Sequence, residues 1–238
     1  MRPGTEPKPA EVQALFDKLA FRYDLFNRFI SLGMDKSLRN KVLQEIPQGA
    51  RVLDVGCGTG DLCLGALEKA REVVGLDFSS QMLGVAQRRY EKMGSPKTGR
   101  FHLVEMGAEE LPLNEEPFDV VVSGFVLRNL YERIDRVLGG IYRSLSEGGR
   151  ILLLDFTEPP SRLRQALFRA HMNTYGTLFG RMLFGSDFPA GYMAESAKKF
   201  PKPPEFCELL RRVGFKDVSA QLFVLGSVVL YRGRKPVS

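Results

Sequence analysis

From Glu11 to about Ile46 the apolar residues return every three or four positions: Val12, Leu15, Phe16 and Leu19, then Leu25, Phe26, Phe29 and Ile30. That period belongs to amphipathic helix, broken near residues 20–24 and again at Gly33. Past Pro47-Gln48-Gly49 the texture changes to short apolar runs. Arg51–Gly56, Glu72–Asp77, Phe118–Ser123 and Arg150–Asp155 read as strands buried on both faces, and His102–Glu105 as a weaker one. Helical segments are expected between them, over about 61–69, 80–93 and 134–144. Strands alternating with helices imply right-handed crossovers and a parallel sheet. Near the end, 214–222 and 227–233 are expected to pair as an antiparallel hairpin on that sheet's edge. Residues 158–204 are rich in aromatic side chains and fit neither pattern cleanly; a mostly helical insertion is expected there. The organisation this predicts is a proline-containing mobile tail (1–10) before one domain (11–238), with a helical arm (11–48) and a substrate-side insertion (158–204).

Composition narrows the class. The chain is 44% hydrophobic and 26% charged, enough apolar material for a substantial core. The formal charge of +6 is local: from Ala197 to Ser238 nine basic residues face three acidic ones, so residues 1–196 sum to zero. A protein that neutralises phosphates is more often basic over its main body, so nucleic acid is not an expected partner. Apolar runs such as Ile151–Leu154 fall far short of the ~20 residues that cross a bilayer. The first ten residues have no apolar stretch of the secretory kind. Cys57, Cys63 and Cys207 form neither an even disulfide framework nor zinc-ligand pairs, and only two histidines occur, so no metal centre is expected. A reducing cytoplasm is the expected setting.

The sharpest local signal is Asp54-Val-Gly56-Cys-Gly58-Thr59-Gly60, set between the first strand and the first helix. Glycines let the backbone turn tightly and approach a ligand with no Cβ between. The second strand then ends in Asp77, where a carboxylate in this kind of fold accepts hydrogen bonds from ribose hydroxyls. The loop reads G-x-G-x-G rather than the dinucleotide G-x-G-x-x-G. It resembles motif I of class I S-adenosylmethionine-dependent methyltransferases, and a Rossmann-like fold of that class is what the resemblance implies. Gly56, Gly58, Thr59 and Gly60 would then wrap the cofactor's amino-acid end, Asp77 and Phe78 would hold the ribose side, and Asp54 would face the cationic centre. Gly107 and Ala108 would flank the adenine, with Ser123 and Gly124 at the end of the fourth strand.

Three further stretches resemble one family of that class, the quinone-biosynthesis C-methyltransferases that act on demethylmenaquinone and ubiquinone precursors. They are Phe16–Gly33 around Tyr23-Asp24-x-x-Asn27, then Leu127-Arg128-Asn129 with Leu145–Gly149, then Leu154–Pro159 with Tyr192–Pro201 and Arg232–Lys235. The departures are Met34-Asp35-Lys36-Ser37-Leu38 where the family has His-Arg-x-Trp after the glycine, and the absence of any Trp. The resemblance implies transfer of a methyl group to a prenylated quinol ring. Arg128 is expected to hold a hydroxylate or a water, Asn129, Tyr192 and Ser196 to contact ring oxygens, and Tyr23 to close over the cofactor. Plainer readings stand beside these: Arg128 and Asn129 as caps of a helix starting near Glu132, Tyr192 and Ser196 as packing. Methylation of oxygen or nitrogen on another small molecule, an RNA or protein methyltransferase, and a non-catalytic cofactor-binding subunit are the alternatives. The basic strip at Lys198–Lys202 and Arg232–Lys235 suits either anionic lipid or a solvated face, and a homodimer stays open.

Overall fold

A computed structural model of the chain describes residues 31, 33–94, 99–111, 116–184 and 192–237. The tail and the first part of the arm, Tyr23 included, lie outside the described residues. The arm is seen from α1 (Met34–Gln44), which starts at Gly33. Seven strands follow: β1 (Arg51–Val55), β2 (Glu72–Asp77), β3 (Arg100–Glu105), β4 (Phe118–Gly124), β5 (Leu145–Phe156), β6 (Lys216–Phe223) and β7 (Val228–Arg234). They form one sheet in the order β3-β2-β1-β4-β5-β7-β6. β1 to β5 run parallel, and β7 lies antiparallel between β5 and β6. The crossovers are α2 (Asp61–Ala66), α3 (Ser80–Lys92) and α4 (Ile134–Ser144). This is the expected α/β architecture with its terminal hairpin.

The apolar runs work because alternate residues of a strand point to opposite faces. Val52, Val120, Val122, Leu152 and Leu154 face the layer of α1, α2 and α3. Leu53, Val55, Val121, Ile151 and Leu153 face α4 and α8 (Pro203–Val213). Each fully buried Val, Leu or Ile side chain contributes about 1.5–3 kcal/mol, so two-faced burial makes the central strands the firmest part of the fold. The strand expected from Arg150 starts earlier. Leu145 pairs with Phe118, the chain detours, and pairing resumes at Arg150 opposite Val120. The Gly148-Gly149 detour is tied to the chain's far end, since Gly148 N donates to Lys235 O at 3.0 Å and Lys235 N to Gly149 O at 2.8 Å.

After β5 the insertion is helical, as expected: α5 (Arg162–His171), a π turn (Met172–Gly176), α6 (Thr177–Phe184) and α7 (Tyr192–Lys199). Its aromatic residues divide by duty. Phe168 packs on Phe156, whereas Phe200 belongs to the core beside Phe206. The terminal basic strip is not free: Arg232 forks onto Glu45 at 2.8 and 2.6 Å, Arg234 Nε donates to Gly148 O, and Lys235 Nζ donates to Leu145 O.

Candidate active site

Strand order reverses between β1 and β4, and ligands in open α/β sheets bind outside the carboxyl ends at such a switch point. A cavity of about 450 Å3 lies there. The glycine loop forms one wall. Gly56 has φ 70° and a Cβ on it would sit 2.6 Å from Val126 Cγ1, so the loop is pressed against the segment after β4. Gly58 has φ 53° and open space where a Cβ would be. Asp77 Oδ2 accepts from Gly58 N at 2.8 Å and Oδ1 accepts from Ser79 N at 3.0 Å, so this carboxylate pins the loop as well as lining the cavity. A carboxylate has about four acceptor positions, which leaves capacity for ribose hydroxyls.

Below the loop Asp54 is almost wholly buried and lines the cavity. Its Oδ2 accepts from Cys63 Sγ at 3.2 Å, while Oδ1 has no protein partner among the described residues. Burial pushes this carboxyl up to about 7, against the pull of the Cys63 hydrogen bond and the Arg39 charge. Cys63 also shares a hydrogen bond with Cys57, whose backbone is part of the loop. Seven carboxylates stand on the cavity wall (Asp54, Asp61, Asp77, Glu105, Glu109, Glu110 and Glu132) against the guanidinium groups of Arg39 and Arg133. A buried acceptor without a partner inside an acid-walled cavity fits a cationic ligand such as S-adenosylmethionine.

Phe125 forms the opposite wall. It follows β4 with φ 64°, outside the usual range for a bulky residue, and both its backbone groups are held. Phe125 N donates to Leu154 O at 2.7 Å, and Arg128 Nη1 donates to Phe125 O at 2.6 Å. Its ring packs on Phe156 with centroids 4.8 Å apart, under the Arg39 guanidinium. Behind it lies a second cavity of about 190 Å3, walled by Met34, Leu38, Phe156, Phe168, Met172 and Val228 among others. Among the described residues Phe125 lines both, between an acidic chamber and an apolar one.

Of the residues expected in the cofactor site, Asp54, Gly56, Gly58, Thr59, Asp77, Phe78, Gly107, Ala108 and Gly124 line the first cavity. Gly60 caps α2 just behind the loop, packed on Ala86. Ser123 is different: it is fully buried, and its hydroxyl donates to Val55 O at 2.7 Å, a tie between β4 and β1 rather than a contact to the cavity. Arg128 also departs from its expected place. Its side chain is 2% exposed and Nη1 lies 2.7 Å from Asp155 Oδ1, beneath the cavity floor. Asn129 reaches the first cavity. Ser196 sits half-buried on α7 off both cavity walls, and Tyr192 opens the same helix. Arg39 carries no such expectation, although it bridges Asp35 at 3.0 Å and Asp61 at 3.5 Å over the cavity. Its only local signal is the four-residue spacing from Asp35 on a helix.

Residues 4–235 match the family model described as the ubiE/COQ5 methyltransferase family. The ubiquinone/menaquinone biosynthesis C-methyltransferase UbiE of Rhizobium etli is 34% identical over 240 residues, covering 98% of this chain and 92% of that protein. The Geobacter sulfurreducens protein of the same name is 35% identical over 237 residues, covering 96% and 90%. In fold the chain is similar to magnesium protoporphyrin IX methyltransferase from Synechocystis PCC 6803 with bound SAH (TM-score 0.66, 18% identity, covering 96% of this chain and all, 100%, of that one). It is similarly like phosphoethanolamine N-methyltransferase 2 of Haemonchus contortus (TM-score 0.67, 18% identity, 92% and 57% covered).

Proposed function

The chain belongs to the ubiE/COQ5 methyltransferase family, and we propose that it methylates a ring carbon of a prenylated quinol, demethylmenaquinol or a related ubiquinone precursor. One observation carries the reading: the acid-walled cavity and the apolar cavity share Phe125 as a common wall. A cationic donor and an apolar acceptor thereby gain adjoining chambers of opposite character. S-adenosylmethionine, when bound, supplies the methyl group from a positively charged sulfur.

The residues divide the remaining work. The backbone from Gly56 to Gly60 follows the donor's amino-acid end closely, because nothing projects from Gly58. Asp54 balances positive charge there with its unpartnered oxygen. Asp77 and Phe78 hold the ribose side, and Gly107 and Ala108 flank the adenine. Asn129 lines the first cavity, which supports it as the residue of the Leu-Arg-Asn stretch that hydrogen-bonds a ring hydroxyl. Arg128 is a positioning residue, since its guanidinium fixes Phe125 and Asp155. Orientation of two reactants is worth up to about 7–11 kcal/mol of barrier, which suits an enzyme whose electrophile arrives activated. An acceptor with an apolar tail suits a site at a membrane surface, and among the described residues no helix is long and apolar enough to cross a membrane.

Donor carrying a labelled methyl group, incubated with the chain and a reduced demethylmenaquinol, should place the label on the ring carbon. Label appearing on a different acceptor class, with none on the reduced quinol, overturns the reading.

A further inference from the structure

The helix running through α5, the π turn and α6 turns large apolar side chains toward solvent. Leu163 is 71% exposed, Leu167 60%, Leu178 59% and Met182 61%, and Tyr175 stands between them half-exposed. Leu163 and Leu167 are four residues apart, and Tyr175, Leu178 and Met182 follow at three and four, so each run gathers on one side of the helix. Leu225, 72% exposed, lies across from Leu167, and both line the apolar cavity, which therefore opens between them. Large apolar side chains exposed in such number along one helix mark a partner or membrane surface.

The charges beside this surface select its occupant. Residues 159–184 contain Arg162, Arg164, Arg169 and Arg181 and no Asp or Glu. Arg169 is paired with Glu158; Arg162, Arg164 and Arg181 are exposed around the apolar residues. A second copy of the chain would set arginines against arginines. An anionic bilayer satisfies both parts, phosphates taking the arginines and the acyl boundary taking leucine, methionine and tyrosine.

We propose that the helix from Arg162 to Phe184 is an interfacial anchor that seats on an anionic lipid bilayer, with the apolar cavity opening into its acyl region. The inference rests on the tailed acceptor proposed above, which would then enter the cavity without crossing water.

Co-sedimentation with phosphatidylcholine vesicles, with and without phosphatidylglycerol, tests it. The chain should bind the anionic vesicles, less well at high salt, and Leu163→Glu/Leu178→Glu/Met182→Glu should bind them at least about tenfold more weakly. Arg162→Gln/Arg181→Gln should lose the preference for phosphatidylglycerol. The triple variant should methylate a tail-less, water-soluble quinol at the wild-type rate and a tailed one in vesicles more slowly. Equal vesicle binding by wild type and triple variant overturns the proposal, as does a stable wild-type dimer that the triple variant breaks. If the wild type binds vesicles through this helix yet methylates no quinol, the anchor stands and the assigned reaction falls.

Discussion

Asp155→Asn removes one charge from a pair that the fold has sealed away. The two side chains are 2% and 0% exposed, with Arg128 Nη1 at 2.7 Å from Asp155 Oδ1. The carboxylate also accepts from Arg128 N at 3.0 Å and from Phe156 N at 2.7 Å. An amide retains one acceptor oxygen but turns a donor toward donors and leaves the guanidinium buried without its counter-charge. Breaking such a pair costs about 3–5 kcal/mol, a large part of the roughly 5–15 kcal/mol that holds a domain folded. At about 2–4 °C per kcal/mol for a chain of this size, Tm should fall by roughly 6–20 °C. Equilibrium unfolding in urea measures the same loss as a lowered midpoint at unchanged slope. Arg128→Met should cost a similar amount for the opposite reason, an uncompensated carboxylate. The double variant should be less destabilised than the sum of the singles by at least about 2 kcal/mol, because neither charge is then stranded. Additive singles, or an Asp155→Asn loss below about 1 kcal/mol, would refute a buried, mutually dependent pair.

Four other outcomes follow from the site and core. Asp54 is raised from 3.8 to about 7, so the native state keeps a proton that the unfolded chain has lost between those values. Its contribution to stability is therefore full at low pH and disappears as pH rises toward 7, and Asp54→Asn should flatten that slope. A cationic donor draws the proton off, so its affinity by calorimetry should rise through about pH 7 in the wild type and not in Asp54→Asn. Gly58→Ala should fold with about 1 kcal/mol of backbone strain yet lose most binding of S-adenosylhomocysteine, because its Cβ enters the open cavity. Gly56→Ala should instead lose stability against Val126, and equal behaviour of the two would contradict the loop's geometry. Tyr231 is fully buried with a hydroxyl that has no protein partner among the described residues; Tyr231→Phe should raise the urea midpoint by about 1 kcal/mol equivalent, and a comparable loss would reveal a partner.

The elements with local signatures were readable from the chain. Val52–Val55, Val73–Leu76 and Val120–Val122 are buried on both faces and apolar but for Asp54, and helices of amphipathic period separate them. Gly58 and Asp77 betrayed the loop because a turn and a strand end both leave marks in sequence. What escaped reading is set by register between distant segments. Arg128 looks like a site residue in its own stretch, and only the pairing of β4 with β5 brings Asp155 beneath it, 27 residues on. Ser123 is turned away from the cavity by the pleat, which sends its hydroxyl to Val55 O. The apolar cavity has no sequence signature, since Leu38, Phe125, Phe168 and Val228 come from four separate elements. The Arg232–Lys235 strip was legible as charge but not as partners, since Glu45 and the Gly148 and Leu145 carbonyls arrive from elsewhere.

The Cys57-Cys63-Asp54 cluster has a chemical consequence for an enzyme that works on quinols. Oxidised, such a ring is an electrophile that adds thiolates and would arylate the protein irreversibly. All of the chain's cysteines, Cys57, Cys63 and Cys207, are buried. Burial pushes the Cys63 and Cys207 thiols up. At Cys57 the hydrogen bond with Cys63 pulls downward, but burial and the charges of Asp54 and Asp77 outweigh it. The thiolate is the reactive form, so burial keeps all three sulfurs protonated, including Cys57, which belongs to the cavity wall. Among the described residues, stray oxidised substrate in the cavity therefore meets carboxylates, aromatic rings, arginine and one thiol, Cys57, held in its unreactive form.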